Sequence, residues 1–152
     1  MVGSRGSILT PSGVKKVGTN TWYAISYGNG VYVAIGSDTQ NGYITRSTDG
    51  TNWTSPLKIA NTSLSAICFG YGKFLVSKAG GYVITSTDGI NWTTAQSMKI
   101  ETEGFTYGNG RFVACGSITT GIGSEGYATS INGTDWNVTT NTDNWYDVAY
   151  GN

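Results

Sequence analysis

The chain alternates apolar and polar residues over short stretches, and small polar residues separate one stretch from the next. Examples are YAISY at Tyr23–Tyr27, VYVAIGS at Val31–Ser37 and GYITRS at Gly42–Ser47. Alternation with a period of two predicts half-buried β-strands, and the glycine-rich breaks between them predict tight turns. No segment repeats its apolar residues with the helical period of 3.6, so we expect essentially no helix.

These strands belong to a repeat. The phrase YGNG at Tyr27–Gly30 returns as FGYG at Phe69–Gly72, as YGNG at Tyr107–Gly110 and as YGN at Tyr150–Asn152, with spacings of 42, 38 and 43 residues. A second phrase recurs once after each of the first three: STDGTNWT at Ser47–Thr54, STDGINWT at Ser86–Thr93 and SINGTDW at Ser130–Trp136. Each unit holds four short strands, a to d, in about 40 residues, which is the size of a β-propeller blade. The sequence predicts an all-β fold, a β-propeller of four-stranded antiparallel blades.

The two ends of the chain each match part of a unit. The tail, 145–152, matches strand a, and the head, 1–21, matches strands c and d, so together they would form a split fourth blade. We therefore predict one domain over 1–152, with complete units at about 22–63, 64–101 and 102–144. The ring would close within one chain as four blades, or between two chains as eight, each chain being a half-propeller. The dimer is favoured, because four blades must diverge steeply around a narrow axis.

Composition narrows the partners that we expect. Nine basic and nine acidic residues leave no net charge, so the chain lacks the electrostatic footprint of a nucleic-acid or anionic-membrane binder. No apolar run approaches the ~20 residues of a membrane helix, and the first residues lack the apolar segment of a signal peptide. The sequence leaves the compartment open.

Cysteine and histidine usage bears on metals and cofactors. Cys68 and Cys115 each lie in an apolar strand pattern, on different blades, so we expect two buried free thiols; a disulfide is the alternative. There is no His and no CxxC motif, so we expect no metal site and no cofactor.

The phrase S-T-D-G-x-N-W resembles the Asp-box of sialidase-like (BNR-type) propellers, although one residue is missing between the Asp and the Trp. The wider unit is similar to repeats of phage tail and bacterial surface proteins. The resemblance implies that these turns are structural, with the carboxylate accepting turn amides and the Trp packing between strands. The residues concerned are Ser47, Asp49, Gly50, Trp53, Ser86, Asp88, Gly89, Trp92, Asn132, Gly133 and Trp136.

The sequence gives little support to an enzyme. A sialidase needs three convergent Arg, but Arg5, Arg46 and Arg111 occupy non-equivalent blade positions. A glycosidase needs two carboxylates at a defined separation, and Asp49 and Asp88 are already assigned to turns. Without His there is no Ser-His-Asp or Cys-His system. We expect no catalysis.

We therefore predict a module for binding or assembly, carbohydrate-binding and adhesin-like, on a phage or bacterial surface. Its ligand residues are predicted at the start of strand a, at Trp22, Trp145, Tyr146 and Asp147, with the loops Asp38–Asn41 and Ile118–Glu125 as further candidates. A glycan and a second copy of the chain are the expected partners. Two alternatives stay open: an excised or engineered propeller fragment whose only activity is self-assembly, and a sialidase-like glycoside hydrolase.

Overall fold

The computed structural model describes residues 3, 6–120 and 124–151, and within them it contains strands and turns but no helix. The strands are β1 Ser7–Thr10, β2 Gly13–Lys16, β3 Thr21–Gly28, β4 Val31–Ser37, β5 Gly42–Ser47, β6 Leu57–Ala60, β7 Leu64–Gly70, β8 Lys73–Lys78, β9 Tyr82–Ser86, β10 Gln96–Ser97, β11 Ile100–Gly108, β12 Arg111–Ile118, β13 Glu125–Ser130 and β14 Asn137–Asn141.

Twelve of these strands form three antiparallel sheets of four, each with its strands in chain order. The sheets are β3-β4-β5-β6, β7-β8-β9-β10 and β11-β12-β13-β14, which we call blades 1, 2 and 3. The first strands of neighbouring blades lie against each other, β3 against β7 and β7 against β11. The predicted all-β propeller of four-stranded antiparallel blades is confirmed, in the form of an arc of blades.

The apolar core lies between neighbouring blades, where the second strand of one blade faces the next. Between blades 1 and 2, Val33 and Ile35 pack with Ile67, Phe74 and Val76. Between blades 2 and 3, Cys68 and Leu75 pack with Ile100, Phe112 and Ala114. Both cysteines are free and buried, as predicted. Each blade is therefore stabilised mainly by its neighbours, as in other repeat proteins.

The turn between the third and fourth strands has the same geometry in all three blades. In blade 1, Ser47 Oγ donates to Asp49 Oδ1 at 2.9 Å, and that oxygen accepts the backbone N–H groups of Thr51 and Asn52 at 2.8 and 2.7 Å. Ser86 and Asp88 repeat this pattern in blade 2. These turns are structural, because their carboxylate oxygens already accept turn amides.

Asn132 replaces the aspartate in blade 3 without changing the turn. Its side-chain oxygen accepts the backbone N–H groups of Thr134 and Asp135 at 2.9 and 3.0 Å, and Ser130 Oγ donates to it. The amide can do this because its oxygen is isosteric with one carboxylate oxygen. The turn therefore requires an acceptor at this position but not a charge.

The head and the tail lie at opposite ends of the arc. The β1–β2 hairpin packs on blade 1 through a small core of Ile8, Val17, Trp22 and Ala34. The tail, predicted as a strand a, contains no strand over 142–151, yet it covers β11: a Cβ at Gly104 would lie 2.6 Å from the Cα of Asp147. Among the described residues β1 and β2 pair only with each other, so the predicted pairing of head and tail is not made within this chain.

Candidate functional site

Each first strand begins with a β-bulge, and this irregularity positions a row of side chains. In blade 1 Trp22 pairs with Gly36 but Ala24 pairs with Ile35, which leaves Tyr23 as the extra residue. In blade 3 the same shift leaves Glu103 extra. A bulge inserts a residue that the partner strand does not match and redirects its side chain, and such bulges recur beside binding sites.

The residue opposite the bulge has to be small. A Cβ on Gly36 would overlap the carbonyl oxygen of Thr21, and one on Gly116 would overlap that of Glu101. Blade 2 uses Ser77 instead, whose Oγ accepts the backbone N–H of Ala66 at 2.9 Å. The bulge is therefore built into the repeat by residues that tolerate close backbone approach.

The bulges line up a row of exposed polar and aromatic side chains along one face of the arc. We define this bulge face by the exposed residues at and two before each bulge: Thr21, Tyr23, Ser63, Ser65, Glu101 and Glu103. Hydroxyl groups and a tyrosine ring dominate at one end and carboxylates at the other. Such a surface offers hydrogen-bond donors, acceptors and flat aromatic faces side by side.

A groove of about 540 Å³ opens on this face at blade 1 and is lined by Thr19, Thr21, Tyr23, Ser37, Asp38 and Thr39. Asp38 shapes its edge. Its carboxylate accepts the backbone N–H groups of Gln40 and Asn41 at 2.8 and 2.7 Å and the hydroxyl of Tyr43 at 2.9 Å. The Gln40 N–H is the main cause that lowers the pKa of Asp38 to about 2, and the same carboxylate raises the pKa of Tyr43. These hydrogen bonds fix the loop Asp38–Asn41 as one wall of the groove.

A second groove of about 170 Å³ lies on the same face between blades 2 and 3 and is lined by Ser63, Ser65, Lys78, Ala79, Glu101, Thr102 and Glu103. Glu101 Oε1 accepts the backbone N–H of Gly80 at 2.9 Å, which ties this carboxylate to the turn of the neighbouring blade. Thr102 is only 5% exposed, and its Oγ1 has no hydrogen-bond partner among the described residues. A buried hydroxyl without a partner is costly, so this atom marks a place where a ligand could supply one.

The ligand residues predicted from the sequence do not lie together in the structure. Trp22 is 1% exposed and its Nε1 donates to the carbonyl of Val17 at 3.0 Å, so it is a core residue and offers no ring face to a ligand. Tyr146 is exposed on the tail. Trp145 and Asp147 instead line an apolar pocket of about 210 Å³ at the outer side of blade 3, together with Val113, Cys115, Tyr127 and Val148.

The other candidate residues of the sequence analysis take scattered positions. Arg46 lies on β5 and Arg111 opens β12, while Arg5 and residues 121–123 of the loop Ile118–Glu125 are outside the described residues. Burial, and then the carboxylates of Asp147 and Glu103, raise the pKa of the Cys115 thiol. Within the described part of the chain no three His, Cys, Asp or Glu residues cluster as metal ligands would. That part also contains no helix long and apolar enough to cross a membrane.

Tyr23, Ser65 and Glu103 were not predicted as site residues from the sequence. The repeat could have identified them, because they occupy equivalent positions. Each directly follows a buried residue near the start of strand a, namely Trp22, Leu64 or Thr102. A strict alternation of inward and outward positions conceals a bulge, since the inserted residue shifts the pattern by one.

No protein-family model matches the sequence, and no curated protein matches it. Solved structures do resemble the arc. A structure described as YCF48 bound to D1 peptide is 17% identical with a TM-score of 0.63, and the match covers 89% of this chain and 46% of that one. YCF48 from Cyanidioschyzon merolae is 16% identical with a TM-score of 0.61, over 93% of this chain and 52% of that one. At this identity the likeness shows a β-propeller fold, and the chain spans about half the length of these relatives.

Proposed function

We propose that the chain is a non-catalytic binding module that holds a carbohydrate on its bulge face. The observation that carries the proposal is the row of exposed tyrosine, hydroxyl and carboxylate side chains that the bulges align along one side of the arc. Sugars present hydroxyl groups around a ring with an apolar face. Tyrosine rings can stack on that face, while Ser, Thr and Glu side chains bond the hydroxyls.

The buried hydroxyl of Thr102 supports the same proposal. Thr102 lines the groove between blades 2 and 3, and its Oγ1 is buried without a partner among the described residues. A ligand hydroxyl would reach it where binding moves the wall of Ser65 and Glu103 aside. Binding sites keep such unsatisfied groups at a cost in stability, because the ligand repays it on binding.

We propose binding without chemistry because the carboxylates of the repeated turns are committed to the fold. Asp49 and Asp88 each accept two backbone N–H groups, and these bonds lower the pKa of both carboxyls. Glycoside hydrolysis needs one carboxyl of raised pKa to act as an acid and a second at a defined distance. We further propose that the repeats are of the sialidase-like type and that the protein acts on a phage or bacterial surface.

A peptide is the second candidate ligand. One of the similar YCF48 structures is described as bound to a D1 peptide. In this chain Glu101 and Glu103 place two exposed carboxylates along the second groove, which would favour a basic segment.

A glycan array and a basic peptide array, probed with the purified chain, test the two candidates together. We expect glycan binding that Tyr23→Ala weakens about tenfold, corresponding to about 1.4 kcal/mol for a lost stacking contact. The control is Tyr71→Asn, which removes an exposed ring from the turn at the other end of the first strand. Absence of glycan binding at high protein density, or equal binding by Tyr23→Ala, would contradict the proposal. A fluorogenic sialidase substrate should stay uncleaved.

Thr102→Val separates a binding role from a structural one. The valine fills the same volume but removes the unpartnered hydroxyl, so the free energy of unfolding should rise or stay equal while glycan affinity falls. Urea denaturation and the array measure the two effects. A loss of stability with unchanged binding would show that the hydroxyl serves the fold.

A further inference from the structure

Two pockets lie at the opposite ends of the arc, outside the bulge face. The first, about 300 Å³, lies between the head hairpin and blade 1, and its lining includes Leu9, Pro11, Ile25, Tyr27, Tyr32 and Gly50. The second, about 210 Å³, is the apolar pocket of Val113 and Trp145 at the outer side of blade 3. We call them the head pocket and the tail pocket. The repeat reveals what fills the corresponding places between complete blades.

The first strands of neighbouring blades fit together by placing an aromatic ring on a glycine. The ring of Phe69 lies on Gly28 and that of Tyr107 lies on Gly70, so closely that a Cβ on either glycine would overlap the ring. The tail continues the series, because the ring of Tyr150 lies on Gly108 in the same way. Tyr27 holds the equivalent place in blade 1, but it is 56% exposed and lines the head pocket. Among the described residues, none of the glycines receives the ring of Tyr27.

A second contact joins the turn of one blade to the second strand of the blade before it. A Cβ on Gly89 would lie 2.7 Å from Val33, and one on Gly133 would lie 2.8 Å from Leu75. Both Val33 and Leu75 are 0% exposed as a result. Val113 occupies the same position in blade 3, yet it is only partly buried and lines the tail pocket.

A third contact is a polar one. Asn29 Nδ2 donates to the carbonyl oxygens of Gly72 and Thr87 in blade 2, both at 3.0 Å. Asn109 stands at the equivalent position in blade 3, is exposed, and makes no side-chain hydrogen bond to any residue that the structure describes. With Tyr150 already on Gly108, blade 3 keeps two places for the rest of a further blade: Val113, which matches the covered residues of blades 1 and 2, and Asn109, which matches Asn29 of blade 1.

We propose that a second copy of this chain fills both pockets: its tail enters the head pocket, and its head hairpin enters the tail pocket. Gly151 follows Tyr150 as Gly28 follows Tyr27, and no described atom lies within 4 Å of the place of its Cβ, so it is free to receive the ring of Tyr27 of the other copy. Gly13, in the hairpin turn, is equally open and matches the glycines that cover Val33 and Leu75. The two ends are therefore complementary to each other.

Two copies form a closed assembly with two identical joints. A head-to-tail contact generates a ring when the rotation closes and an open filament when it does not. The arc superposes on about half of the similar YCF48 chains, 46% and 52% of their lengths. Its curvature thus matches that of about half of such a propeller, and a second arc would complete a ring of similar size. This inference is independent of the proposed carbohydrate ligand.

Light scattering on the purified chain tests the assembly. We expect twice the chain mass of 16.1 kDa. Gly151→Val should raise the dissociation constant at least tenfold, since its side chain would occupy the place of the Tyr27 ring, while the circular dichroism spectrum of the separated chain stays unchanged. A single-chain mass of the wild type at every concentration overturns the proposal. So does an open-ended mass, or an undiminished dimer of Gly151→Val.

A pair of asparagine variants gives a second readout. Asn109→Ala should weaken the dimer several-fold and cost the separated chain only the strain of alanine at a positive φ, because its proposed partners belong to the other copy. Asn29→Ala is the matched control: it carries the same strain and also removes two bonds within the chain, so it should lower stability further and leave the association of the folded chains unchanged. If both variants lower only the stability, Asn109 has an internal role and the joint is wrong.

Discussion

Three residues at the same turn position show how a single side chain fits or strains the repeat. Asn29, Tyr71 and Asn109 all have positive φ, at 49°, 49° and 47°, and a glycine with positive φ follows each of them. Two successive positive φ values are typical of the type I′ hairpin turn, which favours Asn-Gly. Tyr71 is the exception, since a bulky residue in this region is strained.

Tyr71→Asn should therefore stabilise the chain by about 1 kcal/mol. The new side chain would also stand where Asn29 stands in blade 1, within the pattern that bonds the carbonyls of the next blade, here those of Gly110 and Ile131. Urea denaturation measures the gain. Asn29→Tyr is the reverse change and should lose at least as much, and equal stability of Tyr71→Asn and wild type would contradict the strain argument.

At the scale of the element, the turn between the third and fourth strands couples stability to pH. The backbone N–H groups of Asn52 and Asn91 are the first causes that hold the pKa of Asp49 and Asp88 below the ordinary value of 3.8. A carboxyl whose pKa is lower in the folded state contributes stability above its unfolded pKa, and the contribution is lost as pH falls through the folded value. Asp38, with its pKa near 2, acts in the same direction.

The double variant Asp49→Asn, Asp88→Asn should fold with intact turns and depend less on pH below about 4. Asn132 already accepts the turn amides with a neutral side chain, its Nδ2 donating to Asp135, and the Asn52 and Asn91 amides can turn to accept in the same way. Thermal melts between pH 7 and pH 2 measure the effect. The wild type should lose stability on acidification, and the variant should lose less. A variant that is as acid-sensitive as the wild type would place the acid response elsewhere.

The sequence predicts the elements better than the faces that they present. The turn motifs fixed the repeat, the four strands of each blade and the head hairpin, because glycine and Asx residues determine local backbone geometry. The bulge at Tyr23 and Glu103 escaped prediction, since an inserted residue becomes visible only when both paired strands are known. Trp22 was predicted as a ligand residue, but it is buried in the core. The tail has no strand because, in the part of the chain that the structure describes, no second strand lies beside it to complete the hydrogen-bond ladder.

At the scale of the whole molecule, the arc depends on interfaces between successive blades, and its two outermost interfaces differ from the inner ones. The inner interfaces bury Val33 and Leu75 completely, whereas Val113 remains partly exposed at the open side of blade 3. In a chain of units that contact only their neighbours, stability is close to the sum of the units and their interfaces. Identical substitutions at equivalent positions should then report whether an interface is occupied.

Val33→Ala and Val113→Ala form such a matched pair. Val33→Ala should cost about 2 kcal/mol, the value of a fully buried valine together with the cavity that it leaves. Val113→Ala should cost less than about 1 kcal/mol in the separated chain and approach the cost of Val33→Ala once a second copy covers it. Urea denaturation at low and at high protein concentration measures both. If the cost of Val113→Ala stays constant while the chain dimerises, the second copy leaves this side of blade 3 exposed, and the joint must form through other residues.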